Sequence, residues 1–319
     1  MKQKVALVTG VSGQDGSLLS KFLLENNYRV IGTSRDIHTS SFNKLIKLGI
    51  EKEVTRVNMN TCDYRSVLNI ISIYEPDEIY HLSGQSSVAQ SFEFPVETLE
   101  SICISAITIL EAIRYKNRLI KFYNAGSSEC FGNTFNIKAN EETPFNPCSP
   151  YAAAKSAAFW QVKNYRNAYN LFCCTGILFN HESGLRNERF VTRKIVKTAC
   201  RIYRGEDINL ELGNINIMRD WGWAEEYVKV MHSMLQISKP EDIVIGTGKS
   251  HSLREFVDYA FASLGLDYKK YLIINEEYMR PTDLKESCAD SSKAKKILNW
   301  KAKHDMQSVI DKMIKSELV

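Results

Sequence analysis

Tyr151 and Lys155 stand four residues apart in the run Ser149-Pro-Tyr-Ala-Ala-Ala-Lys155. On a helix that spacing puts both side chains on one face. A free phenol titrates near ~10, and a neighbouring ammonium favours its ionised form. Such a tyrosine can take a proton from a hydroxyl while hydride leaves the same carbon. Further upstream, Ala125-Gly-Ser127-Ser-Glu129 offers a hydroxyl and a carboxylate two residues apart. A serine that hydrogen-bonds the reacting hydroxyl suffices for simple oxidation, so Glu129 is surplus to it. It reads either as a solvated loop charge or as a base for a carbon acid next to a new ketone.

A third cluster lies near the start. Thr9-Gly10-Val-Ser-Gly13-Gln-Asp-Gly16 has glycines with gaps of three and three, and sits between the apolar run Val5–Val8 and a helix pattern over Ser17–Glu25. Without β-carbons the backbone can turn tightly and approach a pyrophosphate, which the free N–H groups of a helix start then bind. Strand, turn and helix in that order point to a dinucleotide cofactor. The second strand ends in Arg35-Asp36. An acidic residue there favours the ribose 2′-hydroxyl of NAD, and an arginine favours the 2′-phosphate of NADP. With both side by side, the choice stays open at this level, as does an ordinary surface role for either.

The elements that must position these groups alternate in type. Strand-like runs fall at Val5–Val8, Val30-Ile31, Val54–Val57, Glu78–Leu82, Leu119–Tyr123 and Leu171–Leu178. Helical spacing marks Ser17–Glu25, Tyr64–Tyr74, Ser101–Tyr115 and Tyr151–Tyr169, the last opened by Ser149-Pro150. This reading leaves Ser127 in the loop after Leu119–Tyr123. Alternation of this kind predicts an α/β fold, a doubly wound parallel sheet of the Rossmann type. After residue 180 the rhythm loosens into helical pieces (Phe190–Tyr203, Trp223–Gln236, Leu253–Leu264) between glycine-containing loops. The expected organisation is a dinucleotide domain over 1–180 and a smaller substrate lobe over 181–319, interleaved with the end of the first. Ligands should bind beyond the strand C-terminal ends, where strand order reverses.

Bulk composition excludes several classes. The chain has 319 residues, 44% apolar, with a net charge of +4. No Lys/Arg run is long enough for a nucleic-acid or polybasic membrane patch, and no apolar run approaches the ~20 residues of a membrane span. Eight cysteines contain no C-x-x-C pair and no zinc spacing with histidine. With no apolar leader pattern at the start, a cytoplasmic, metal-free protein is expected.

At these motifs the chain resembles the GDP-mannose 4,6-dehydratases, within the extended short-chain dehydrogenase family. The likeness runs nearly end to end and is most specific in Thr9–Ser17, Tyr80–Ser91, Ser149–Lys155, Gly176–Lys194, Leu212–Gly222 and Arg280-Pro-Thr. The resemblance implies an NADP-dependent GDP-sugar 4,6-dehydratase. Tyr151 with Lys155 would oxidise C4, Glu129 would remove the C5 proton, Ser127 would assist loss of the C6 hydroxyl, and hydride would return to C6. It further implies that Gly10, Gly13, Gln14, Asp15 and Gly16 hold the cofactor, with Arg35 by its 2′-phosphate and Asn60 and Thr61 near adenine. Leu82, Ser83, Gln85 and Ser86 would line the same groove, together with Tyr151, Lys155, His181 and Arg186. Ser86, Ser127, Glu129, Tyr151, Asn180, Lys194, Arg219 and Arg280 would contact the GDP-sugar. Cations there suit a diphosphate through charge-assisted bonds.

Four departures from the family pattern stand out. Gly126 replaces a serine, Ser127 a threonine, and Asp36 a second arginine; Leu185-Arg186-Asn187-Glu188 replaces an Arg-Arg-Gly-Glu loop tied to tetramer contacts. NAD therefore remains an alternative cofactor, and another GDP-sugar an alternative substrate. The family pairs into dimers through the helices at 101–115 and 151–169, so a homodimer or homotetramer is expected. Two other functional classes fit the scaffold: a GDP-sugar 4-oxidase or 4-epimerase, and a non-catalytic nucleotide-sugar sensor.

Overall fold

The computed structural model describes residues 3–135 and 137–318. The first half of the chain winds strand and helix alternately: β1 (Val5–Thr9), α1 (Gln14–Glu25), β2 (Arg29–Ser34), α2 (Asn43–Lys47), β3 (Thr55–Asn58), α3 (Tyr64–Tyr74) and β4 (Glu78–His81). Then come α4 (Val88–Glu93), α5 (Pro95–Leu99), a π-helical turn at Glu100–Ile104, α6 (Ser105–Lys116), β5 (Lys121–Ser127), α7 (Pro150–Tyr169) and β6 (Cys173–Leu178). Local chemistry sets several helix starts. The Asp63 carboxylate accepts from the Arg65 and Ser66 amides ahead of α3, and the Ser149 hydroxyl accepts from Ala152 N ahead of α7.

The remaining elements are shorter: β7 (Asn180–Glu182), α8 (Val191–Tyr203), β8 (Leu210–Leu212), β9 (Met218–Arg219), β10 (Trp221–Trp223), α9 (Ala224–Gln236) and β11 (Ile243–Ile245). They are followed by β12 (His251–Ser252), α10 (Leu253–Ala262), β13 (Leu272–Ile274), α11 (Ser292–Leu298) and α12 (Met306–Leu318).

The main sheet has seven strands in the order β11-β6-β5-β4-β1-β2-β3. From β3 to β6 the pairings are all parallel, Val8 lying opposite Gly32 and Tyr80, and Tyr80 opposite Tyr123. Strand order therefore reverses between β1 and β4, and the predicted doubly wound sheet is the observed one. On one of its faces Leu7, Ile31, Ile79 and Phe122 pack against Val67 of α3, Ile113 of α6 and Val162 of α7. The chain divides into two units. One comprises residues 1–130, 149–178 and 225–243; the other comprises 131–148, 179–224 and 244–319. The second unit has its own core, in which Val196, Trp221, Phe256, Val309 and Ile310 meet.

Three details differ from the sequence reading. β5 runs on to Ser127, because Ala125, Gly126 and Ser127 pair with Gly176, Ile177 and Leu178 of β6. Ser127 thus ends a strand rather than sitting in a loop. The helix expected at 101–115 opens with a π turn. The short helices α4 and α5 show no legible periodicity, being too brief to repeat an apolar face.

One buried ion pair ties α7 to the sheet. Arg166 Nη1 donates to Asp242 Oδ1 at 2.9 Å, and the same oxygen accepts from Thr175 N of β6 at 2.8 Å. Removing one partner of such a pair leaves a buried charge uncompensated, at about 3–5 kcal/mol. Arg166→Ala should lower unfolding stability by about that amount in chemical denaturation. Arg56→Ala, which breaks the half-exposed pair with Glu51, should cost about 1 kcal/mol or less.

Candidate active site

The glycine turn joins β1 to α1 at the point of strand reversal. Gly10 has φ +69°, which only glycine adopts without strain. A β-carbon on it would stand 2.9 Å from Leu82 O and from the backbone of Ser83, and one on Gly16 would stand 2.2 Å from Gly10 O. Gly13 caps α1 and donates its N–H to Gly10 O at 2.9 Å, while Lys44 Nζ donates to Ser12 O at 3.0 Å. The cradle fits the dinucleotide expected from its sequence: the first turn of α1, with Gln14, Asp15 and Gly16, presents helix N–H groups next to a turn whose glycines carry no side chain.

An ordered hydrogen-bond chain holds the facing wall. Thr9 Oγ1 accepts from Leu82 N at 3.0 Å and from Ser83 N at 3.1 Å, and lies 3.1 Å from His81 Nδ1. With both acceptor positions used, the hydroxyl proton goes to Nδ1. His81 Nε2–H then donates to Ser105 Oγ at 3.0 Å, and Ser105 donates to Ser101 O at 2.7 Å. Burial, with the Lys155 charge nearby, pushes the His81 imidazole down to about 3, so it stays neutral. Ser101 Oγ in turn accepts from Gln85 N at 3.2 Å. Thr9, His81 and the π turn thereby position Leu82, Ser83 and Gln85, with Ser86 next in the chain. Sequence reasoning did not single out His81. Its alternation with Tyr80 in a fully buried strand was the available signal.

The catalytic candidates come together where β5 ends and α7 begins. Lys155 Nζ donates to Ala125 O at 2.8 Å and lies 5.8 Å from the centre of the Tyr151 ring, on the same helix face. Glu129, in the 3₁₀ turn after β5, donates its N–H to Ser127 Oγ at 3.3 Å. Cys130 Sγ donates to Ala152 O at 3.8 Å, a second tie between the two segments. Burial lowers the Lys155 ammonium to about 8, against the opposing influence of Cys130 and Asp15, and pushes the Cys130 thiol up to about 11. The residue is only half-buried by surface, but its ammonium is enclosed. The end of β5, with Ser127 and Glu129, and the start of α7, with Tyr151 and Lys155, are thus tied to each other at Ala125 and Ala152.

Beyond β2, Arg35 and Asp36 separate in role. Asp36 turns its carboxylate on its own loop, accepting from His38 N at 2.8 Å and from Thr39 Oγ1 at 2.9 Å. The Arg35 side chain is 80% exposed, 4.0 Å from Glu97. Asn60 and Thr61 follow β3, where Asn60 Oδ1 accepts from Cys62 N.

In the second unit, His181 is buried and its Nδ1–H donates to Phe179 O at 2.8 Å; Asn180 precedes it on β7. Arg186 pairs with Glu182 at 3.1 Å and stacks on Phe190. Arg219 and Arg280 converge on Asp283, at 2.9 and 3.3 Å. Arg219 is 4% exposed and also donates to Leu284 O. Asp283 was not anticipated, though it stands three residues after Arg280. Lys194 lies over the ring of Tyr278.

Gly126 has a steric cause in this chain. A β-carbon there would stand 2.6 Å from the Thr175 methyl and 2.9 Å from Gly176 O. Asn124 Nδ2 holds Thr175 by its hydroxyl at 3.3 Å. Overpacking of this sort costs about 1–3 kcal/mol. Gly126→Ser should lower the thermal midpoint and reduce kcat together, since it displaces the carbonyl that holds Lys155. Adding Thr175→Ser, which keeps the hydroxyl and removes the methyl, should recover part of both.

Known proteins show which family and fold the chain shares. A sequence profile described as "GDP-mannose 4,6 dehydratase" matches residues 7–313. The GDP-mannose 4,6 dehydratase 1 of Arabidopsis thaliana is 44% identical over 328 residues, covering 99% of this chain and 90% of that protein. Among solved structures, the dTDP-glucose 4,6-dehydratase of Bacillus anthracis in complex with NAD superposes with a TM-score of 0.86 at 19% identity, covering 98% of this chain and 96% of that one. RMD of Pseudomonas aeruginosa, complexed with NADPH, gives 0.80 at 17% identity, covering 99% of each. At such identities these two speak for the fold; profile and relative speak for descent. The chain belongs to the GDP-mannose 4,6-dehydratase family.

Proposed function

We propose that this chain is an NADP-dependent GDP-sugar 4,6-dehydratase, converting GDP-mannose or a related GDP-sugar to its 4-keto-6-deoxy product. The observation that carries the reading is the tie between Lys155 and Ala125. It ties the helix that carries the tyrosine–lysine pair to the strand that leads into Glu129, the surplus carboxylate. Membership of the family and the 44% identical relative support the same substrate class.

A nicotinamide dinucleotide bound at the glycine turn supplies a hydride acceptor and donor. Tyr151 takes the proton of the C4 hydroxyl, and the Lys155 ammonium stabilises the phenolate. Glu129 removes the C5 proton, which a C4 ketone makes acidic. The Ser127 hydroxyl assists departure of the C6 hydroxyl as water. Arg219, Arg280 and Lys194 attract the diphosphate, with Asn180 and Ser86 beside it. The exposed Arg35 supports NADP, because Asp36 already spends its carboxylate on the His38 and Thr39 donors. Residues 1–180 mainly serve the cofactor and 181–319 mainly the sugar nucleotide. Exposed Val96, Leu99, Ile104 and Trp160, on or next to the helices expected to pair, support a homo-oligomer. No described helix is long and apolar enough to cross a membrane, and a cytoplasmic location remains part of the proposal.

The Gly126-Ser127 departure keeps a second reading in view, a GDP-sugar 4-oxidase or 4-epimerase that does not use Glu129. Mass spectrometry separates the two. The dehydratase should convert a GDP-sugar to a product one water lighter with no added oxidant. Glu129→Gln should still reduce bound cofactor but stop that loss. Stoichiometric build-up of free NADPH with product, or full turnover by Glu129→Gln, would sink the dehydratase reading.

Lys155 sets a pH limit. Its ammonium titrates at about 8, so it is charged below that pH and lost above it. The kcat/KM profile should fall as pH rises through about 8. Lys155→Arg, charged throughout this range, should lose that limb at a lower plateau.

A further inference from the structure

Tyr278 is 52% exposed and the adjacent Met279 is 49% exposed, yet the turn that carries them is firmly mounted. Asn275 caps it, accepting from Glu277 N through Oδ1 at 2.9 Å and from Tyr278 N through its carbonyl at 3.2 Å. Asn275 is itself anchored to β8, its N–H donating to Leu212 O at 2.8 Å and its amide Nδ2 to Glu211 Oε2 at 3.3 Å. The turn then passes over Gly213 so closely that a β-carbon there would stand 2.7 Å from Tyr278 O. Holding a large aromatic ring in water on a fixed backbone wastes its capacity for burial. The ring's surroundings explain it better. Lys194 Nζ lies 3.9 Å from the ring centre, and Arg280, two residues on, reaches Asp283, which Arg219 also grips. A flat aromatic face thus lies against Lys194, on the turn that leads into Arg280 and the Asp283 it shares with Arg219.

We propose that Tyr278 is the stacking platform for the nucleobase of the substrate, with Lys194 placed to serve both the ring and the diphosphate. The inference rests on the sugar-nucleotide reading above and deepens it. A base on a 5′-diphosphate lies within a ribose of the phosphates, which matches one ring flanked by cations. Stacking needs only the ring face, so the phenolic hydroxyl is dispensable.

The test compares two ligands by calorimetry on the whole enzyme: GDP, and inorganic pyrophosphate, which lacks the base. Tyr278→Ala should weaken GDP about tenfold or more while changing pyrophosphate less than about twofold, below the effect expected of one stacked base. Tyr278→Phe should keep wild-type affinity for both. Unchanged GDP binding by Tyr278→Ala would overturn the proposal. So would an equal loss for both ligands, since the ring would then merely hold Lys194 or the turn. If the wild-type enzyme itself does not bind GDP, the sugar-nucleotide reading fails first and this inference falls with it.

Discussion

At the end of β1 two stretches of backbone pass so closely that neither Gly10 nor Gly16 has room for a single added carbon. Everything on the cofactor side depends on this crowding. It turns the chain sharply, aims the start of α1 across the strand ends, and brings the Leu82–Ser83 segment against the turn. Two segments so close must satisfy their amides without water. Thr9 does this with one hydroxyl, which accepts from two N–H groups and donates its own O–H to His81 Nδ1. A neutral, buried histidine is thereby part of the backbone's hydrogen-bond system.

The corner where β5 meets α7 obeys the same economy. Enclosing an ammonium is unfavourable unless a dipole meets it, and the Ala125 carbonyl is that dipole. The compensation is partial, which is why Lys155 titrates well below an ordinary lysine. It also makes the position of one carbonyl critical. The Thr175 methyl reaches the space directly beside it, so a side chain at 126 and that methyl would compete for one place.

Much of this was legible in the residues alone. Strand and helix alternation announced the doubly wound sheet, because fully buried parallel strands read as continuous apolar runs. The glycine turn and the Tyr151–Lys155 pair were readable because their chemistry is local, within one turn of backbone. What stayed hidden depends on contacts between distant segments. The extension of β5 to Ser127 comes from pairing with β6, some fifty residues on. The occupation of Asp36 by its own loop, and the convergence of Arg219 and Arg280 on Asp283, leave no periodic trace in sequence.

Each of the two units is assembled from three separate stretches of chain, and the first is complete only with residues 225–243. A ribosome delivering the chain from its N-terminus has therefore passed residue 224 before α9 can bond to Glu78 of β4. Until then, the Glu78 carboxylate in β4 lacks Gln236, whose amide reaches it at 3.1 Å. Domains usually fold as soon as they emerge, but interleaved ones must wait, with apolar strand edges open in the meantime. Such a chain has no stopping point ahead of residue 243 at which its first unit is finished.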